Sequence, residues 1–272
     1  MNRLLIFSIL FIAVLFYSPG DNEIDAQTNY KIGDNSFKLS GIKTKIVKYM
    51  SGNDSVASFL AVPEGTGPFP ALIVIHEWWG LNNWIKKNTE DFADSGYIAL
   101  AIDLYHGRST ASPDEARKLS GSVSQEQAAA DLKSAFDYLY NMKEVDKNKI
   151  GSIGWCMGGG YSLKAALDIK DLSACVICYG RLVTGIESLK RTKGTVLGIF
   201  GENDQNITPA IVHTFEDSLN KAGVKNKIII YPGVGHAFMN PDNSKLYDKN
   251  TTEKAWKETY TFLDNHLKQI KK

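Results

Sequence analysis

Short apolar runs alternate along this chain with stretches of helical spacing. Residues 56–62, 71–75, 97–103, 149–155, 174–179, 195–200 and 227–231 are strand-like runs rich in β-branched, aromatic and other apolar residues. Between them, 84–95 has helical character and stops at Gly96. Residues 125–142 read as a helix, because Ser124 and Gln127 make a capping box and Leu132, Phe136 and Leu139 share one face. The segments 161–167 and 209–219 also read as helices, and Trp256, Tyr260, Leu263 and Leu267 line a last one. Residues 27–55 are polar with scattered hydrophobics, the pattern of edge strands and turns. Continuous apolar strands alternating with helices predict an α/β fold, a mostly parallel twisted sheet covered by helices on both faces. Without an internal repeat or a long linker, residues 27–272 are expected to form one domain.

The N-terminus breaks the pattern. Asn2 and Arg3 give a polar, positive start, 4–16 is apolar except for Ser8, and polar residues follow from 18 to 27, with the small Ala26 among them. This is the layout of a signal peptide over 1–26, so the protein is expected to be exported to the periplasm or the medium. The apolar run falls short of the roughly 20 residues that a spanning helix needs. An uncleaved membrane anchor is the alternative, and after cleavage no stable membrane insertion is expected.

Composition narrows the classes. In a chain of 272 residues, 43% hydrophobic and 11% aromatic content excludes a disordered or fibrous chain. Charge is balanced at 31 Lys and Arg against 30 Asp and Glu, which gives no reason to expect nucleic acid or an anionic surface as partner. Without residues 1–26 the balance is 30 against 27. Three cysteines are too few for a disulfide framework. Cys175 and Cys178 lie three apart on one strand, so they face opposite ways and read as buried, inert thiols.

In a sheet of this kind ligands sit beyond the carboxyl ends of the strands, so the residues that follow each run carry the chemistry. Gly154-Trp155-Cys156-Met157-Gly158 fits a nucleophile elbow with Cys in place of the commoner Ser. The small flanking glycines permit the tight turn, and a sulfur at a helix N-terminus is favoured as thiolate. Asp204, in Gly201-Glu202-Asn203-Asp204, follows the next-but-one run, and His236, in Gly233-Val234-Gly235-His236, follows the last. The order Cys156, Asp204, His236 is that of a nucleophile–acid–histidine triad on an α/β-hydrolase sheet. After the 71–75 run comes His76-Glu77-Trp78-Trp79-Gly80. The backbone N–H groups of Trp78 and Met157 are candidates for an oxyanion hole, and Glu77 for orienting or deprotonating the sulfur. After the 97–103 run, Arg108 could hold a substrate carboxylate, with Tyr105 and Trp79 beside it as further substrate contacts, and Trp78, Trp79 and Trp84 could line an apolar pocket. His76-Glu77 lacks the second histidine of a zinc motif. His106, His213 and His266 show no ligand spacing and read as structural. The glycines 158–160 fit neither a phosphate loop nor a dinucleotide fingerprint, so no metal or cofactor is expected.

Taken together, these segments resemble the dienelactone hydrolase (carboxymethylenebutenolidase) family from about residue 57 to 268. The shared marks are His76-Glu77-Trp78-Trp79-Gly80-Leu81, Asp103-Leu104-Tyr105, Gly154-Trp155-Cys156-Met157-Gly158-Gly159, Gly201-Glu202-Asn203-Asp204 and Gly235-His236-Ala237-Phe238. The resemblance implies an α/β-hydrolase fold, a triad on Cys156, Asp204 and His236, an active-site glutamate at Glu77 and an oxyanion hole at Trp78 and Met157. It implies a cycle in which Glu77 takes the thiol proton and the thiolate opens an ester or lactone through an acyl-cysteine. The expected partner is a small-molecule ester or lactone, and the protein a monomer or weak oligomer. One position departs from the family pattern: four residues after His236, where a second substrate-binding arginine is expected, stands Asn240. Losing a cation there removes a contact worth about 1.5–3 kcal/mol. That opens a second reading, a broad carboxylesterase or thioesterase without dienelactone activity. A non-catalytic exported binding protein is a third.

Overall fold

A computed structural model describes residues 41–268. The expected signal peptide lies outside them. No helix among the described residues is long and apolar enough to cross a membrane. Eight strands form one sheet: β1 (Lys43–Ser51), β2 (Asp54–Val62), β3 (Phe69–Ile75), β4 (Ile98–Ile102), β5 (Val145–Trp155), β6 (Ala174–Cys178), β7 (Thr195–Gly201) and β8 (Asn226–Tyr231), in the order β1-β2-β4-β3-β5-β6-β7-β8. The β1–β2 hairpin is antiparallel and joins β4 antiparallel; every other pairing is parallel. The central strands are buried on both faces, which explains their unbroken apolar sequence.

Alternation along those strands feeds two cores. On one face Ala71, Ile73, Ile75 and Cys175 pack with residues of α3 (Gln125–Asn141), α4 (Met157–Asp168) and α6 (Pro209–Lys221). On the other Leu72, Val74, Trp155 and Cys178 pack with α1 (Asn83–Asp94) and α7 (Lys249–Leu267). Cys175 and Cys178 thus face opposite cores as free, buried thiols. Ser124 caps α3 by accepting the Gln127 N–H at 3.0 Å.

The structure differs from the sequence reading in three respects. Two helices go beyond that reading: α2 (Pro113–Ser122) buries only Ala116 and Leu119, too few apolar positions to leave a periodic signal, and α5 (Ile186–Leu189) is a single turn. Helix α4 begins at Met157 rather than after the glycines, because Gly158 and Gly159 are packing positions within its first turn. A Cβ on Gly158 would sit 2.3 Å from the Ile75 carbonyl oxygen, and one on Gly159 2.8 Å from that of Cys178. Trp84 belongs to the core and not to a pocket: it is 9% exposed, with its ring 5.2 Å from that of Trp155.

Candidate active site

The close approach of α4 to the ends of β3 and β6 forces the turn between β5 and α4 to be abrupt. Cys156 fills that turn at φ 53°, ψ −115°, a region that L-residues seldom enter and that is tolerated where function needs it. A Cβ on Gly154 would lie 2.2 Å from the Gly158 carbonyl oxygen, so the elbow requires glycine there. The Cys156 N–H is tied to the Cys178 carbonyl at 3.0 Å. Its side chain stands at the N-terminus of α4, half-buried.

Asp204 and His236 come together from the loops after β7 and β8. Asp204 Oδ2 lies 2.7 Å from His236 Nδ1. Its other oxygen accepts the N–H groups of Asn206 at 2.8 Å and Ile207 at 3.0 Å. Burial works against the Asp204 carboxylate, but the bonds from His236, Ile207 and Asn206 outweigh it and hold its pKa below the usual range. Burial likewise opposes the His236 imidazolium. Asp204 and the neighbouring Cys156 outweigh that and push its pKa up to about 10. Cys156 flanks the ring, although no hydrogen bond of good geometry joins sulfur and imidazole.

The loop after β3 supplies Glu77 and Trp78. His76 is fully buried and lowered in pKa by burial. Its Nε2 accepts the Leu104 N–H at 3.1 Å, so its Nδ1 carries the proton that reaches the Glu77 carbonyl at 2.5 Å. A neutral imidazole therefore splints the loops after β3 and β4. Glu77 is 2% exposed. Its Oε2 accepts from Asn240 Nδ2 at 2.6 Å, its Oε1 has no hydrogen-bond partner, and no hydrogen bond links it to Cys156. Burial raises its pKa to about 7, against the opposing pull of Asn240 and His236.

The N–H groups of Trp78 and Met157 donate to no acceptor among the described residues, and that of Met157 opens α4. Tyr105 links these two residues. Its hydroxyl donates to the Trp78 carbonyl at 3.0 Å and lies 3.3 Å from Met157 Sδ. Tyr105 is only 3% exposed, so where the sequence suggested a substrate contact the structure shows a strut between Trp78 and Met157. Tyr105→Phe should lower kcat for an activated aryl ester by about 3- to 10-fold, the worth of one hydrogen bond, with KM nearly unchanged. Steady-state kinetics would check this, and a change confined to KM would refute the strut.

Arg108 is exposed and forms no ion pair with another described residue. Its loop is fastened to the rim of the site: Ser109 bridges Gly80, and the Thr110 N–H donates to the Trp79 carbonyl at 3.0 Å. Trp79 is half-buried and packs on Trp78 with ring centroids 4.7 Å apart. His106 contacts the buried Asp131 at 3.1 Å. No metal-binding cluster occurs among the described residues.

Sequence reasoning passed over Tyr179. It follows β6 at φ 40°, fully buried, with its ring edge-on to His236 at 5.2 Å and its hydroxyl unpartnered beside Glu77. Its signal was available, since it ends an apolar run and precedes Gly180. That glycine is needed because a Cβ there would meet the Gly159 carbonyl carbon at 2.3 Å.

Comparison with known proteins gives the family and the fold. Residues 56–267 match the family model described as "Dienelactone hydrolase family". The chain is 32% identical over 231 residues to "Protein usf" of Aquifex pyrophilus, which covers 82% of this chain and 99% of that protein. It is 30% identical over 262 residues to a Saccharolobus solfataricus protein named "Putative carboxymethylenebutenolidase", covering 80% of this chain and 97% of the other. The solved "Putative Dienelactone Hydrolase" of Klebsiella pneumoniae subsp. pneumoniae superposes with a TM-score of 0.76 at 24% identity, over 84% of this chain and all of that one, and shares the fold.

Proposed function

The chain belongs to the dienelactone hydrolase family and is a hydrolase of ester or lactone bonds, and from that premise we propose that it works through an acyl-cysteine on Cys156. The observation that carries this reading is the 2.7 Å Asp204–His236 pair standing beside a sulfur held at left-handed φ on a helix N-terminus.

The proton affinities support a division of roles. The pairing of His236 with Asp204 favours its imidazolium, which serves as the acid. Glu77, with a pKa near 7, is matched to act as base at neutral pH. In the proposed cycle Glu77 leaves Asn240 and takes the Cys156 proton. The thiolate attacks the carbonyl carbon, forming the C–S bond, while the oxyanion is held by the N–H groups of Trp78 and Met157. Collapse breaks the C–O bond, and His236 protonates the departing oxygen. The neutral imidazole then takes a proton from water, which attacks the thioester. The acid leaves, the thiolate is expelled, and Glu77 returns its proton. We assign export to the segment 1–26, on the strength of its short apolar run and polar flanks.

Brief exposure to p-nitrophenyl acetate followed by mass spectrometry of peptides tests the intermediate. An acetyl adduct on Cys156 is expected. An adduct on another residue, or hydrolysis with none after rapid acid quench, would overturn the assignment.

A further inference from the structure

We infer that Asn240 is a positioning residue that keeps Glu77 in reserve through an uncharged contact, and that the site is consequently built for esters without a charge of their own. This rests on the catalytic reading above and specifies its substrate class.

The Glu77 carboxyl is sealed from water, with one oxygen on the Asn240 amide and the other without a hydrogen bond of good geometry, the Tyr179 hydroxyl lying beside it. A buried carboxylate normally gathers several donors or a cation. A carboxylic acid needs less, and the unpartnered Oε1 is where its proton fits. The groups that face it are the Tyr179 hydroxyl and the Cys178 thiol from the end of β6, His236 from the loop after β8, and Asp242 from the Asn240 loop. No Lys or Arg is among them, and the one cation, the His236 imidazolium, is already paired with Asp204. Both protonation states are therefore accessible near neutrality, consistent with a pKa near 7.

The amide is not free to turn. Asn240 is 2% exposed, its Oδ1 accepts the Asp242 N–H at 2.9 Å, and its own N–H is bound to the Ala237 carbonyl at 3.1 Å. With the oxygen engaged on that side, Nδ2 is the end presented to Glu77. Releasing Glu77 toward Cys156 then breaks one hydrogen bond from an uncharged donor and separates no hydrogen-bonded ion pair. A substrate need bring no negative charge to drive the exchange, and at Asn240 itself it would meet an amide in place of a cation.

The test uses pH profiles of kcat/KM for p-nitrophenyl acetate in the wild type, Asn240→Asp and Asn240→Arg, with thermal melts to confirm folding. The acidic limb should move up by about one pH unit in the near-isosteric Asn240→Asp, where a like charge replaces the donor. In Asn240→Arg it should move down by a similar amount. Wild type should prefer p-nitrophenyl acetate over the p-nitrophenyl monoester of succinic acid by about tenfold or more, and Asn240→Arg should narrow that ratio. A merely structural asparagine would lower activity without moving the limb. An unmoved limb in a folded Asn240→Asp, or a wild-type preference for the anionic ester, overturns the inference. If Asn240→Arg does not fold, Asn240→Asp and the ester ratio decide. The absence of both turnover and the Cys156 adduct in the wild type would instead sink the catalytic reading, and this inference with it.

Discussion

Replacing Cys156 with alanine is expected to lower kcat for an activated aryl ester by about 10⁴-fold or more, with little change in thermal stability. The sulfur is the one atom of the proposed cycle that forms and breaks a covalent bond to the substrate. Without it the oxyanion-hole amides and the binding surface remain, and such remnants give only a small residual rate. Stability should hold because alanine, like cysteine, can be accommodated at φ 53° by the same surroundings. The Cys156 N–H also keeps its bond to the Cys178 carbonyl. Cys156→Ser should be nearly as inactive. A carboxyl that titrates near 7 can take a proton from a thiol far more readily than from a hydroxyl. Stopped assays with p-nitrophenyl acetate, run beside thermal melts, check both variants. An alanine variant that keeps the wild-type rate would remove Cys156 from the chemistry altogether.

The candidate site was legible in sequence to the extent that it is built from strand ends. Cys156, Asp204 and His236 each follow an apolar run and stand near glycines, and those glycines are visible because close backbone approach allows no other residue. Gly154 and Gly158 could be read in this way before any coordinates. The two-sided burial of β3 to β7 was equally legible, because a strand covered on both faces cannot hide its apolar sequence. What escaped depends on contacts that no local pattern encodes. Asn240 and Glu77 meet across 163 residues of chain, and nothing in either segment announces the other. Tyr105 looked like a substrate contact because it lies in a loop past a strand. Its hydroxyl is taken up by Trp78 and Met157, 27 and 52 residues away. Trp84 looked like a pocket wall, but it opens a helix whose inner face stacks on Trp155. The Pro113–Ser122 helix was silent because it is mostly solvated.

Those long-range contacts also divide the labour among the ionisable groups. The site holds two carboxyls driven in opposite directions, Asp204 lowered by its donors and Glu77 raised by burial. The first stays charged and fixes an imidazolium. The second titrates near neutrality and can carry a proton away from sulfur. Separated proton affinities of this kind are what a site performing both acid and base steps requires.

Asp204→Asn should therefore cost about 10³- to 10⁴-fold in kcat while leaving the fold intact. The amide oxygen can still accept from Asn206 and Ile207, as Asp204 Oδ1 does at 2.8 and 3.0 Å. That places Nδ2 against His236 Nδ1, donor against donor. The imidazole answers by moving its proton to Nε2 and leaving Nδ1 as acceptor, so the ring is neutral and has lost the charge that protonates the leaving oxygen. Any basic limb in the pH profile should fall from about 10 toward the ordinary imidazole value of 6.5 or below, since burial is no longer opposed by a carboxylate. Stability carries the same sign. His236 has a raised pKa in the folded protein, so its contribution is complete below 6.5 and is lost as pH rises through about 10. Asp204 has a lowered one, so its contribution is present above 3.8 and is lost as pH falls. The stability gap between wild type and Asp204→Asn should accordingly be widest from about pH 4 to 6.5, shrink through pH 10 and close in strong acid. Urea melts across that range would measure it, and a gap independent of pH would mean that Asp204 supports the loop without pairing to His236.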